Sequence, residues 1–112
     1  MIKQPETIKI MLDYLQGPIW MSDSETGEPI TGIEIIDTDP LIKELNLKCS
    51  ELYNGYFEFD SHDQPCWFNH EKEKADKEIM LDLISKIVCR LNEINDGSYL
   101  VEDLETERLI NL

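Results

Sequence analysis

Apolar residues recur along this chain with two different periods, and the switches between them outline the elements. Ile8, Met11, Leu12 and Leu15 fall at i, i+3, i+4 and i+7, the spacing of one buried helical stripe. Pro5 and Glu6 in front of them suit a first helical turn. Proline has no N–H to leave unpaired there, and glutamate complements the positive end of the helix dipole. Gly17-Pro18 stops the pattern. The spacing thus predicts an N-terminal helix over residues 5–15. Ile19-Trp20-Met21 reads as a short strand, and Ser22 to Gly27 as a turn-rich acidic loop. Glu28 to Asp37 contains a second strand, best at Ile33-Glu34-Ile35-Ile36, placed to pair with the first across that loop. Gly32 beside it marks a bulge or a tight approach.

Asp37-Thr38-Asp39-Pro40 combines a capping side chain with proline at the first helical position, a helix start. Ile42, Leu45, Cys49, Leu52 and Tyr53 continue at helical spacing. Asn54-Gly55 ends the helix, with glycine suited to a left-handed cap. Tyr56-Phe57-Glu58-Phe59 is then a strand with Phe57 and Phe59 on one face. Ser61 to Pro65 is a turn, and Cys66-Trp67-Phe68 returns as the partner strand. Trp67 and Phe68 are assigned to the core. Asn69 caps the strongest helix, about residues 70–95, whose apolar set is Ile79, Met80, Leu83, Ile84, Ile87, Val88, Leu91 and Ile94. Its first two turns, Glu71 to Lys77, are polar all round and read as a solvated extension. Gly97 closes it. Tyr99-Leu100-Val101 and Leu109-Ile110 read as weak final strands, or as one strand and a tail. The order predicts one α+β domain over residues 1–112. It has a mainly antiparallel sheet of about four to five strands packed with three helices.

Composition narrows the partners. Twenty-four acids stand against ten bases in 112 residues, a formal charge of −14. Between Lys9 and Lys43 there is no base, yet there are seven acids: Asp13, Asp23, Glu25, Glu28, Glu34, Asp37 and Asp39. Between Lys48 and Lys72 there is again none, with Glu51, Glu58, Asp60, Asp63 and Glu71. Residues 1–69 carry −9, residues 70–96 only −2 and residues 97–112 −3. A field of one sign repels nucleic acid and anionic membrane and steers positive partners inward. Self-repulsion also costs stability at low salt. Cys49, Cys66 and Cys89, odd in number and widely spaced, do not form a disulfide framework. They read as reduced thiols in a cytosolic setting, two or three of them small core residues. No apolar run reaches membrane-helix length, and Met1 to Glu6 has no signal-peptide character.

Chemistry is sparse. Asp60-Ser61-His62-Asp63-Gln64-Pro65-Cys66 with His70 offers a set from which zinc would take Cys66, His62, His70 and one aspartate. CxxC and HExxH spacings are absent, and a hydrophilic hairpin turn accounts for the same residues. A Cys66 nucleophile with His62 or His70 as base needs a positive setting, whereas the surrounding acids favour the neutral thiol. The five glycines are scattered singly, so no phosphate loop is present, and no basic stripe suits nucleic acid. Neither catalysis, nor a cofactor, nor a metal is therefore expected.

Three stretches carry a resemblance. They are Gln16-Gly17-Pro18-Ile19-Trp20, then Tyr56 to Asn69 (YFEFDSHDQPCWFN), then Arg90 to Tyr99 (RLNEINDGSY) with Val101-Glu102-Asp103. Together they resemble small bacterial immunity proteins that protect cells against polymorphic toxins, including those of contact-dependent growth inhibition systems. The resemblance implies a cytoplasmic, non-enzymatic inhibitor that binds the C-terminal domain of a cognate toxin, often a basic nuclease, and blocks its active site or substrate groove. Such families share no catalytic motif, so no catalytic residue is carried over. Two clusters are then candidates for partner binding: Trp20, Asp23, Glu25 and Glu28 in the first loop, and Glu58, Asp60, His62 and Asp63 around the hairpin turn. The carboxylates would pair with toxin Lys or Arg, and Trp20 would be an apolar anchor. Competing readings are an acidic DNA mimic that occupies a DNA-processing enzyme, a small metal-binding protein centred on Asp60 to His70, and an adaptor subunit.

Overall fold

The computed structural model of the chain describes residues 6–14, 16–23, 25–61 and 64–112. Among these residues it is a single α+β domain with five strands in two sheets and five helices. Three strands form the first sheet in the order β2-β1-β5: β1 is Glu6–Ile10, β2 is Ile19–Trp20 and β5 is Tyr99–Asp103. β2 runs antiparallel to β1, and β5 runs parallel to it. The second sheet is the antiparallel hairpin β3 (Phe57–Ser61) and β4 (Gln64–Phe68). The helices are α1 (Glu34–Asp37), α2 (Pro40–Asn54), α3 (His70–Ala75), α4 (Lys77–Glu93) and α5 (Thr106–Ile110).

The expected N-terminal helix is a strand. Glu6-Thr7-Ile8-Lys9-Ile10 also satisfies a period of two, with Ile8 and Ile10 buried and Thr7 and Lys9 exposed. Local spacing supports either reading. The neighbouring strands decide for the strand: β5 pairs β1 along its whole length, and β2 pairs its last two residues on the other side. Leu15, the end of the expected stripe, lies outside the described residues. Ile33 to Ile36, expected as a strand, instead leads into the one-turn helix α1. The Asp37 carboxylate accepts from Thr31 N–H, Thr31 Oγ1–H and Gly32 N–H, and this closes the turn. Pairing across the acidic loop stops at a single bridge, Ser22 to Pro29, followed by Ile30 N–H donating to Met21 O. Leu109-Ile110 is also helical, in α5. The Asp103 carboxylate accepts from Glu105 N–H, Thr106 N–H and the Thr106 hydroxyl, which fixes the turn into it.

The caps and the hairpin follow the sequence closely. Asp39 Oδ2 accepts from Ile42 N–H at 2.9 Å with Pro40 at the first helical position. Asn69 Oδ1 accepts from Lys72 N–H at 2.9 Å. Gly55, expected as a left-handed cap, has φ −67 and ends α2 in right-handed geometry. The expected 70–95 helix is broken at Asp76, where a short α3 gives way to α4.

The core lies between one face of the first sheet and the pair α2 and α4. Ile8, Ile10 and Ile19 come from the sheet, Ile42, Leu45 and Cys49 from α2, and Met80, Ile84, Ile87 and Leu91 from α4. Tyr56, Tyr99, Ile36 and Leu109 complete it. Each fully buried aliphatic side chain contributes about 1.5–3 kcal/mol. The α4 stripe is narrower than expected, and Ile79 stands exposed. Phe68 packs against the core. Trp67 does not; it is half-buried on the opposite face of the hairpin, paired with Glu58. Of the three thiols only Cys49 is buried, and Cys66 and Cys89 are exposed. Among the described residues, no helix is long and apolar enough to cross a membrane.

Candidate functional site

The acidic loop from Ser22 to Pro29 is pinned from beneath. Asp23 N–H donates to Glu28 O at 2.9 Å and Gly27 N–H to Asp23 O at 2.7 Å, with Gly27 in left-handed geometry at φ +73. Asp23 Oδ1 accepts from Glu25 N–H and Thr26 N–H, so this carboxylate shapes the turn. On α2, Asn46 Nδ2 donates to Gly27 O at 2.7 Å and Ser50 Oγ donates to Gln16 O. Ser22 Oγ donates to Gln16 Oε1 and accepts from Gly17 N–H. Asn46 is 2% exposed, and its Oδ1 has no hydrogen-bond partner among the described residues. Gly17 lies so close that a Cβ there would stand 2.1 Å from Gly27 O. Glu25 and Glu28 are exposed on the loop, and Glu34 is exposed just beyond it.

Trp20 stands at the base of that loop, half-buried, with Nε1–H donating to Met11 O at 3.1 Å. The bond satisfies the indole donor and fixes the ring. The ring walls an open groove of about 520 Å³ that β1 and Met21 also line. A smaller hollow of about 330 Å³ lies between the loop and α2, with Thr26 and Glu28 on one wall and Lys43, Glu44 and Leu47 on the other.

The second cluster is not assembled in the same way. Glu58 accepts from Asn69 Nδ2 at 2.8 Å, so its carboxylate ties β3 to the cap of α3. Asp60 is on β3, while His62 and Asp63 lie outside the described residues. Cys66 is exposed opposite Phe59 on β4, and the His70 ring packs edge-on against Phe68 at 4.7 Å. Among the described residues no group of three or more His, Cys, Asp or Glu is placed to hold a metal ion. The apolar face of the hairpin carries Phe57, Phe59 and Phe68, with Tyr14 4.5 Å from Phe57 and 5.8 Å from Phe59 between ring centroids.

Several acids have structural tasks that local pattern does not reveal. Asp39 receives Arg90 through two bonds, Nη2 at 2.7 Å and Nε at 3.1 Å. The bond from Arg90 holds the Asp39 carboxyl below its ordinary value, with the capping N–H groups adding to the effect and burial opposing it. Glu73 lies in the stretch expected to be solvated, yet it is 1% exposed. Arg108 donates to both Glu73 oxygens and, through Nε at 2.6 Å, to Glu105, which is itself buried. Glu105 also accepts from Leu12 N–H at 2.8 Å. The available signal was residue type: Arg90 and Arg108 are the only arginines among ten bases, and arginine is the base suited to a bidentate, partly buried carboxylate. Tyr56 donates to Asp76 at the α3–α4 break, and burial followed by the Asp76 charge pushes its phenol up. Burial first and then the Glu105 charge push the Cys49 thiol up to about 12, so it is inert at neutral pH.

No protein-family model matches the chain, and neither does any curated protein or solved structure.

Proposed function

We propose that this protein is a cytoplasmic, non-enzymatic inhibitor of the immunity-protein type, which captures a basic toxin domain through an acidic surface. The observation that carries the reading is the loop from Ser22 to Pro29. It projects Glu25 and Glu28 outward from a backbone already held by Asn46, Gln16 and Ser22, within a stretch that contains no base between Lys9 and Lys43. A fixed loop loses little conformational freedom on binding, so more of the charge attraction appears as affinity. Arg108 is held by the buried Glu73 and Glu105, and Arg90 by the buried Asp39 and the exposed Glu93, so neither arginine is free to offset the acids of the loop. A negative field speeds capture of a basic partner and discourages wrong ones.

The two candidate clusters have unequal support. Trp20, Glu25 and Glu28 remain outward or at a groove, and Asp23 supports them from within the turn. Glu58 is engaged with Asn69. The test is co-expression with the C-terminal toxin region encoded in the adjacent upstream reading frame, scored as rescue of growth. Rescue with a stable complex is expected, and Glu25→Lys/Glu28→Lys should slow association by about tenfold or more at low salt. A fragment that kills equally well with and without this protein would end the inhibitor reading.

A further inference from the structure

The face of the first sheet opposite the core is exposed and has a definite composition. The register puts Thr7 beside Leu100 and Lys9 beside both Glu102 and Trp20, so these five side chains share one face. Leu100 is 57% exposed, Met21 beyond the end of β2 is 65% exposed, and Ile30, bonded to Met21 O, is 50% exposed. Met21 lines a groove, and Leu100 and Ile30 lie beside it through Thr7 and Met21; open apolar side chains near one groove mark an interaction surface better than singly scattered ones do.

The groove exists because β2 is only two residues long. Met11 N–H donates to Pro18 O at 2.9 Å, which sets the phase of the β1–β2 ladder: odd-numbered residues of β1 turn their peptide groups toward β2. Thr7 N–H and C=O therefore point past the end of β2 into the groove, which β1 from Glu6 to Lys9 lines together with Met11, Trp20, Met21 and Thr31, so that one acid and one base stand at its wall. An apolar wall, a fixed indole and one exposed peptide group form a pocket for a side chain together with the backbone that carries it.

We propose that this groove and the sheet face beside it are the apolar centre of the partner-binding surface. A single apolar side chain of a basic protein seats against Trp20, Met11 and Met21, while Glu6 at the groove and Glu25 of the loop that follows Met21 hold flanking Lys or Arg. This inference rests on the inhibitor reading for its biological partner, but not for its chemistry. The occupant is a basic protein and not a second copy, because two chains of −14 meeting at this face would repel. The geometry has the anatomy of a protein interface, an aromatic anchor in a groove with charge at its rim.

The test uses the full chain labelled with ¹⁵N and two synthetic peptides, one with a central leucine flanked by lysines and one with glutamates instead. The lysine peptide should shift the Trp20 indole N–H and the Thr7, Met21 and Leu100 amides saturably, and the glutamate peptide should not. Trp67→Phe assigns the two indole signals. Met21→Lys/Leu100→Lys should weaken binding about tenfold, as loss of interface centre residues does, whereas Ile79→Lys/Ile110→Lys adds the same charge at exposed positions away from the groove and should change it less than about threefold. Equal weakening by both pairs, shifts confined to the β3–β4 hairpin, or no saturable shift at Trp20 would overturn the proposal. Growth rescue separates the two readings. Rescue undiminished by Met21→Lys/Leu100→Lys removes this surface and keeps the inhibitor. Failure of the parent protein to rescue, with peptide binding at Trp20 intact, removes the inhibitor and keeps the surface.

Discussion

Replacing Gly17 with alanine should loosen the acidic loop without touching its carboxylates. The new Cβ would stand 2.1 Å from Gly27 O and 2.6 and 2.8 Å from the Asn46 amide atoms. Ordinary contact needs more than 3 Å, so the loop must retreat by about 1 Å or more. The nearest atom belongs to the backbone, and no rotamer change relieves it. Retreat sacrifices the 2.7 Å bond from Asn46 Nδ2 to Gly27 O and strands a buried amide whose Oδ1 already lacks a partner. Overpacking costs about 1–3 kcal/mol, and an unmade buried hydrogen bond costs about 1–3 kcal/mol. The two overlap, because the movement that relieves the clash breaks the bond, so the expected loss is about 3 kcal/mol. For a chain of this length that lowers the melting temperature by about 13 °C. Urea and thermal unfolding measure the loss, and hydrogen exchange at the Gly27 amide, bonded to Asp23 O, reports the loop directly. Gly32→Ala is the comparison. Gly32 has φ +82 and nothing within 4 Å of a built Cβ, so alanine there suffers only the left-handed backbone cost of about 1 kcal/mol. Equal losses in the two variants, or an unchanged Gly27 exchange rate in Gly17→Ala, would refute the view that α2 holds the loop in place.

Arg108→Met should destabilise by about 3 kcal/mol, the low end for a broken buried pair because the Arg108 side chain is 40% exposed. Adding Glu73→Gln should recover part of that loss in denaturant titrations, and a loss below about 1 kcal/mol would reduce the cluster to an ordinary surface pair. Asp39 has a depressed folded-state pKa, so its contribution is fully present above the ordinary carboxyl value, about 4, and disappears as pH falls through the folded value. The stability difference between the parent and Asp39→Asn should therefore shrink in acid, and a difference independent of pH would contradict the pairing with Arg90. A thiol reagent at neutral pH should label Cys66 and Cys89 rapidly and Cys49 only on unfolding. Cys49 reacting as fast as the others would contradict its place in the core.

Elements with their own punctuation were legible in the sequence. Asp39-Pro40 starts α2 and Asn69 starts α3 because each cap bonds an amide three residues on. The β3–β4 hairpin was legible because alternating aromatics flank a polar turn. The acidic loop was legible for a similar local reason, since Asp23 bonds amides two and three residues ahead. β1 was not, because Ile8 and Ile10 fit a strand while Ile8, Met11 and Leu12 fit a helix. Its partner β5 begins more than ninety residues further on, with Glu6 opposite Tyr99. Ile33 to Ile36 has the composition of a strand, but the Asp37 carboxylate closes it into a turn. In the candidate site, nothing beside Glu58 indicated that Asn69 would occupy it.

The sign and the unevenness of the charge, the capped helices, the hairpin and the acidic loop were all readable from the residues alone. Those properties depend on residue counts and on bonds that span a few positions. The tertiary structure alone decided that β1 is a strand, that Glu73, Glu105 and Asp39 serve Arg108 and Arg90, and that a two-residue β2 leaves a groove beside Trp20. Each of those outcomes depends on groups far apart in the chain. Local preferences differ by only some tenths of a kcal/mol per residue, whereas a buried backbone group or charge left without its partner costs about 1–5 kcal/mol, so the distant partner decides.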